Sequence, residues 1–249
     1  MATVHAALLL KFGEKSHMEA LLKTGNVFMQ RLGHYKDLEE DELQKEIKRA
    51  DKFEGIFERY KEGKITFRVE GKEIKSSSKA INVRLNEIMD SFIYCMTWIS
   101  IERINDFKAG KIERLIPIEL EKFGEYCTVI TNPGAFVNKF TSTFDVKALD
   151  FVEYVDLENT EGRIGPFKKD LSFKEQLEFR FIVNNEEGNK ILIKDIGSLE
   201  EDAAFTFETK DLEKSLSKDL VATVFNEEGK EETINFIDFL INRYNSAIS

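Results

Sequence analysis

Leu177-Glu178-Phe179-Arg180-Phe181-Ile182-Val183 alternates with a two-residue period, the signature of a strand rather than a helix. Leu177, Phe179, Phe181 and Val183 share one face; Glu178, Arg180 and Ile182 share the other. Same-face neighbours on a strand lie roughly 6.5–7 Å apart, so Glu178 and Arg180 can reach one ligand or each other's charge. The plainer reading of that pair is an ion pair on a partly solvated sheet face, worth under about 1 kcal/mol. Upstream, Ser172-Phe173-Lys174-Glu175 has the form of a capping box that opens a short helix or turn. Downstream, residues 184–189 are turn chemistry, and Lys190-Ile191-Leu192-Ile193-Lys194 is expected to return as the hairpin partner.

Outward from this strand, the chain begins with Val-His-Ala-Ala-Leu-Leu-Leu-Lys-Phe (residues 4–12), apolar on both faces until Lys11, as in a central strand. Ser16-His17-Met18-Glu19 is a second capping box, for a short helix ending at Gly25. Residues 26–30 form a strand pattern and residues 31–35 a turn. The charged residues 37–49 and the hairpin pattern of residues 65–74, turning at Gly71, make 37–78 a lid or insertion. Two further apolar runs, residues 92–99 and 125–130, are expected as central strands. Pro117 and Pro133 open short helices, and residues 148–155 and 203–207 are strand-like. A C-terminal extension over 200–249 closes with an amphipathic helix carrying Ile234, Ile237, Leu240, Ile241 and Tyr244 at three- and four-residue spacing. No internal repeat or low-complexity linker divides the chain. The expectation is a single α+β domain over 1–249, a mixed, largely antiparallel sheet with flanking helices.

With 249 residues, 42% of them hydrophobic and 21 of them Phe, the chain can bury an aromatic-rich core without disulfide or metal staples. Its 46 acidic and 36 basic side chains leave a net charge of −10. That charge opposes general binding to nucleic-acid phosphates or to anionic lipid, while allowing a local basic cleft. Cys95 and Cys127 sit in apolar strand-like runs, where a reduced buried thiol is the default. The first ten residues lack a basic region and no stretch approaches a spanning length, so a cytoplasmic protein without signal peptide or membrane anchor is expected. Glycine-rich phosphate loops, His-Glu-x-x-His, Cys-x-x-Cys and Gly-x-Ser-x-Gly are absent from the sequence. His5, His17 and His34 have no metal-spaced partner, and no metal site is expected.

Four ordered patterns remain: Leu10-Lys11-Phe12-Gly13; Gly25-Asn26-Val27-Phe28-Met29 leading to Tyr35; Asp51-x-x-Glu54-Gly55; and Phe173-x-x-Gln176-x-Glu178-Phe179-Arg180. Together, over residues 8–184, they resemble an uncharacterised family of bacterial and phage-associated domains that includes proteins assigned as abortive-infection (phage-resistance) antitoxins. Members of that family are similar to the split sheet of ADP-ribosyltransferases, in which two strands cradle NAD and a glutamate on a later strand acts on the nicotinamide ribose. The resemblance implies catalytic roles for Glu178 and Lys11, with Lys11 where such enzymes carry His or Arg. It also implies ligand contacts from Arg180, Tyr35, Glu54 and Phe28, and NAD or another nucleotide as ligand. A carboxylate there would hold a ribose hydroxyl and stabilise oxocarbenium-like charge as nicotinamide leaves.

Read from the residues alone, Asp51 and Glu54 are more often loop charges than ligands, and Tyr35 and Phe28 more often core than a stacking platform. Lys11, ending an apolar strand, must snorkel to water or find an acidic partner such as Glu54 or Glu178. Two other functions compete with an NAD-like cleft. One is a non-catalytic antitoxin or sensor that contacts a cognate toxin or other defence-system protein, its acidic balance suiting a basic partner. The other is a Mg²⁺-dependent phosphoryl-transfer enzyme using Asp51, Glu54 and Glu178.

Overall fold

The computed structural model describes residues 6–37, 51–61, 66–75, 80–185, 187–202, 204–216, 221–225 and 230–248. In chain order these form β1 (Ala6–Gly13), α1 (Lys15–Thr24), β2 (Asn26–Arg31), α2 (Leu32–Asp37), β3 (Glu58–Lys61), β4 (Thr66–Val69), β5 (Lys72–Lys75) and β6 (Ala80–Val83). There follow α3 (Asn86–Asp90), β7 (Phe92–Ser100), α4 (Ile101–Lys108), a 3₁₀ turn (Ile118–Phe123), β8 (Tyr126–Ile130), α5 (Pro133–Thr143) and β9 (Val146–Phe151). Then come β10 (Glu153–Val155), β11 (Gly162–Arg163), β12 (Lys168–Asp170), a second 3₁₀ turn (Leu171–Gln176), β13 (Glu178–Val183) and β14 (Ile191–Asp195). The chain ends with a third 3₁₀ turn (Glu200–Asp202), β15 (Ala204–Glu208), α6 (Thr209–Ser215), β16 (Val221–Phe225), β17 (Glu231–Asn235) and α7 (Phe236–Ile248). The protein is α+β with a largely antiparallel main sheet.

β7 is the hub, because a nine-residue apolar strand can be buried on both faces. One of its edges pairs with β13 along Phe92–Thr97, and β13 in turn pairs with β9. The opposite edge is shared by two strands. β1 pairs with the C-terminal half of β7, Leu10 opposite Thr97, and β2 with its N-terminal end, Gln30 opposite Ile93. Between them Tyr94, Cys95 and Met96 have no strand partner on that edge among the described residues. Beyond Leu10, β1 stays paired with β8 and leaves β7; before Gln30, β2 is paired with β14 alone. The sheet is therefore split at β7.

Side-chain alternation gives the sheet two coats. Phe179, Phe181, Tyr94, Met96 and Leu9 meet Met18 and Leu21 of α1 and Phe136 and Phe140 of α5. Rings pack closely there, with 4.1 Å between the Phe140 and Phe181 centroids, and six buried Phe lie in this layer. On the other face, Leu8, Leu10 and Ile99 meet Ile104 of α4, Leu212 of α6 and Ile237 and Leu240 of α7. Leu32, Ile93 and Ile182 form a smaller cluster on that same face, at the β2 end. Gly25 makes the return from α1 into β2: its φ is +68°, and a Cβ there would lie 2.2 Å from the Gly197 carbonyl oxygen.

Several local expectations are corrected. β14 does not form a hairpin with β13; it crosses to β2, because β9 already fills the edge of β13 that a hairpin would need. The cap of the turn before β13 is Asp170, whose carboxylate accepts from the Ser172 amide, and not Ser172 itself. α1 begins after Glu14 without a side-chain cap, two residues before the expected Ser16 box. Residues 32–37 are helical rather than a turn, and residues 148–155 are two strands, β9 and β10, divided at Val152. β17 occupies residues where the closing helix was expected to begin; that helix starts at Phe236, where the Asn235 side chain accepts from the Ile237 amide. The hairpin turning at Gly71 is present as β4 and β5, while the charged segment 38–50 and residues 76–79 lie outside the described residues. Among the described residues no helix is long and apolar enough to cross a membrane.

Candidate functional site

Where β1 and β2 diverge, a recess of about 380 Å³ opens on the sheet face that carries Glu178 and Arg180. That volume lies in the range of small-molecule sites. All six residues singled out from the sequence line it: Lys11, Phe28, Tyr35, Glu54, Glu178 and Arg180. Each arrives from a different element or the same strand for a local reason. Glu178 and Arg180 are consecutive same-face residues of β13, opposite Thr97 and Cys95 of β7. Phe28 is on β2 and Tyr35 on α2, whose Leu32 anchors it to Ile93 and Ile182. Glu54 comes from the Asp51–Gly55 turn, in which the Asp51 carboxylate accepts from the Phe53 amide at 2.9 Å.

Lys11 passes through the split. Its Nζ donates to the Cys95 carbonyl at 2.7 Å and lies 4.2 Å from the centroid of the Tyr94 ring. The amine thus occupies the stretch of β7 edge that the two departing strands leave uncovered, satisfying a backbone acceptor that no strand reaches.

At the opposite wall the charges close on one another. Arg180 is 1% exposed. Its Nη1 and Nη2 donate to the two Glu54 carboxylate oxygens at 2.9 and 3.0 Å, a bidentate fork. Nε donates to Glu178 Oε2 at 2.6 Å, and Nη1 also reaches the Pro166 carbonyl at 2.6 Å. The expectation of a solvated surface ion pair is overturned by this burial. The other Glu178 oxygen, Oε1, accepts from Lys169 Nζ at 2.7 Å, and the same amine donates to Gln176 Oε1 at 2.6 Å. Burial alone would push the Glu178 carboxyl up. The adjoining Arg180 and Lys169 outweigh it and hold the pKa at about 2, so Glu178 is ionised at neutral pH. It is an acceptor only, suited to holding a hydroxyl or stabilising positive charge, not to delivering a proton.

Asp51 is buried beside this network without lining the recess. Burial first, and Glu54 second, raise its pKa to about 6. Cys95 does line the recess, but burial and then the nearby Glu178 push its thiol up to about 12, which removes it as a nucleophile. Just before Glu178, Leu177 takes φ +47°, a left-handed conformation uncommon for a residue with a side chain. It is held there by its carbonyl accepting from the Trp98 amide at 2.8 Å and by packing against the core cluster of Leu8, Leu10 and Ile99, on the face opposite Phe179 and Phe181 rather than the face that simple alternation assigns it. Backbone strain of this kind gathers at functional sites.

Sequence reasoning missed Lys169, which is 4% exposed and neutralises Glu178. It reads as one of a surface lysine pair; the only signal is that Lys168 and Lys169 alternate on β12, which puts one of them inward. Phe28, core by the plainer reading and a ligand contact by the resemblance, is 47% exposed at the mouth of the recess. Among the described residues, no three His, Cys, Asp or Glu side chains gather to hold a metal ion. Glu54, required by the Mg²⁺ reading, is engaged by both terminal nitrogens of Arg180. Comparison of the chain with family models, curated proteins and solved structures returns no match.

Proposed function

We propose that this protein acts in abortive-infection-type defence against phage, with an ADP-ribosyltransferase-like cleft that binds a nucleotide or an NAD-like ligand. The observation that carries the proposal is the convergence of Lys11, Phe28, Tyr35, Glu54, Glu178 and Arg180 on one recess at the split of the sheet. Its lining carries three cations, Lys11, Lys169 and Arg180, against two carboxylates, in a chain whose net charge is −10. Phe28 at the mouth and Tyr35 and His34 beside it supply flat surfaces for a base, the last two edge-to-face at 5.6 Å. In this reading Glu178, ionised and partly desolvated, holds a ribose hydroxyl and faces the positive charge that develops when a glycosidic bond to nicotinamide breaks.

The saturation of Glu178 by Arg180 and Lys169 favours a second reading, a sensor or antitoxin that binds its ligand or a basic cognate toxin without chemistry. One experiment separates the two. Calorimetric titration with NAD, ATP and cyclic nucleotides is followed by assay of free nicotinamide, on the wild type and on Glu178→Gln. Binding with nicotinamide release lost in the variant supports the enzyme. Binding without release, with a stable complex co-purified from the neighbouring gene product, supports the sensor. Absence of any nucleotide binding refutes the cleft in both.

A further inference from the structure

A second depression of about 360 Å³ lies behind the Asp51–Gly55 turn, bounded by Lys36 from α2, Lys52 and Phe53 from the turn, Arg59 from β3, Asn82 on β6 and Arg84 just after it. Four cationic side chains line it and Glu158 is the lone acid among its lining residues; Asp37, outside it, approaches Lys36 at 3.8 Å. Such a concentration of positive charge is self-repelling in an acidic chain unless an anion joins it.

Arg59 presents the edge that such an anion would need. The side chain is nine-tenths buried and stacks over Phe53, 5.0 Å from the ring centroid. Its Nη1 donates to Asn82 Oδ1 at 2.9 Å. The remaining edge, Nε with Nη2, is the one that grips an oxyanion bidentately. On that edge Nε is buried without a hydrogen-bond partner among the described residues, and Nη2 has a loose 3.5 Å contact with Glu158 Oε2. Glu158 also pairs with Lys52, yet its side chain is more than half exposed.

We infer that this depression is an anion site for a small phosphate-bearing ligand, and that Glu158 stands in the place of one phosphate. A phosphate there displaces the Glu158 carboxylate outward, takes the side-on edge of Arg59, and neutralises Lys52 and Lys36. Arg84 connects this event to the recess. Its Nη2 donates to the Lys52 carbonyl at 2.9 Å and its Nε to the Glu54 carbonyl at 3.2 Å, so the backbone of the turn that presents Glu54 to Arg180 is fastened to the cationic cluster. The inference stands apart from the nucleotide reading, since neither Glu178 nor Lys11 belongs to the depression.

Inorganic pyrophosphate, titrated into the full chain against sodium chloride of equal ionic strength, is the test. Wild type should gain about 3–6 °C in Tm at tenfold excess over Kd. Glu158→Gln, an exposed change, should bind at least about threefold more tightly because the competing carboxylate is gone. Lys52→Gln, equally exposed, should weaken binding about tenfold or more, whereas Lys11→Gln, at the other recess, should leave it unchanged. No Tm gain, unaltered affinity in Glu158→Gln or Lys52→Gln, or loss of binding in Lys11→Gln each overturns the assignment.

Discussion

Replacing Arg180 with Met tests whether the charged wall of the recess is a buried network rather than a decorated surface. The methionine fills much of the volume of the arginine stem but leaves the Glu54 carboxylate without the two donors that meet it at 2.9 and 3.0 Å, and takes one of two cations from Glu178. Breaking a buried pair by removing one partner costs roughly 3–5 kcal/mol. An independent route gives a similar size. Glu178 is held at about 2 against an ordinary 4.5, and a gap of that order corresponds to about 3 kcal/mol between the two protonation states. Because Lys169 still serves Glu178, the lower end applies: about 3 kcal/mol, or a fall in Tm of about 6–12 °C for a chain of this length. Urea unfolding followed by circular dichroism at pH 7 measures it. Since the folded pKa of Glu178 is depressed, its contribution is complete above about pH 4.5 and is lost as the pH falls towards 2; the wild type should show that acid limb. A loss below about 1 kcal/mol in Arg180→Met would refute the reasoning, because only a solvated pair is so cheap to break.

Asp51→Asn should stabilise the protein at pH 7 by about 1–3 kcal/mol, because a carboxyl raised to about 6 by burial is ionised there at a cost. The stability associated with its proton is complete below about 3.8 and is lost between 3.8 and 6, so the advantage of the Asn variant in urea titrations should vanish at pH 4. Phe28→Ala, at a half-exposed position, should change stability by under about 1 kcal/mol while weakening nucleotide binding by about 1–3 kcal/mol in calorimetry, the value of one stacked base. Cys95 and Cys127, both pushed up by burial, should resist iodoacetamide at pH 8 in the folded protein and react fully in 6 M guanidinium, as mass spectrometry would read.

What the sequence reveals here follows from how local each signal is. β7, β8 and β13 are legible because their apolar period is written in their own residues, and Glu178 and Arg180 share a face by that period alone. The partner of β14 is not local: nothing in Ile191–Asp195 records that β9 has taken the edge beside β13. Lys169 is likewise opaque, since its burial is created by Gln176 and Glu178 from later segments. Glu54 was readable as part of a pattern, but its role depends on a residue 126 positions away. β17 escaped notice because Glu231 and Glu232 hide its alternation under charge.

The hollow at the heart of the molecule is cut by two backbones parting company, not by small side chains leaving room. Its position is set by hydrogen-bond topology: β1 and β2 are anchored to opposite ends of β7, and the uncovered edge at Tyr94–Met96 lies between them. Replacements at Phe12, Phe28 or Gln30 redecorate the chamber without collapsing it, so ligand preference can drift, or be redesigned, while the scaffold stays as it is. Lys11 sits in the seam itself, and its exchange for a shorter side chain would reopen the Cys95 carbonyl to solvent or to a guest.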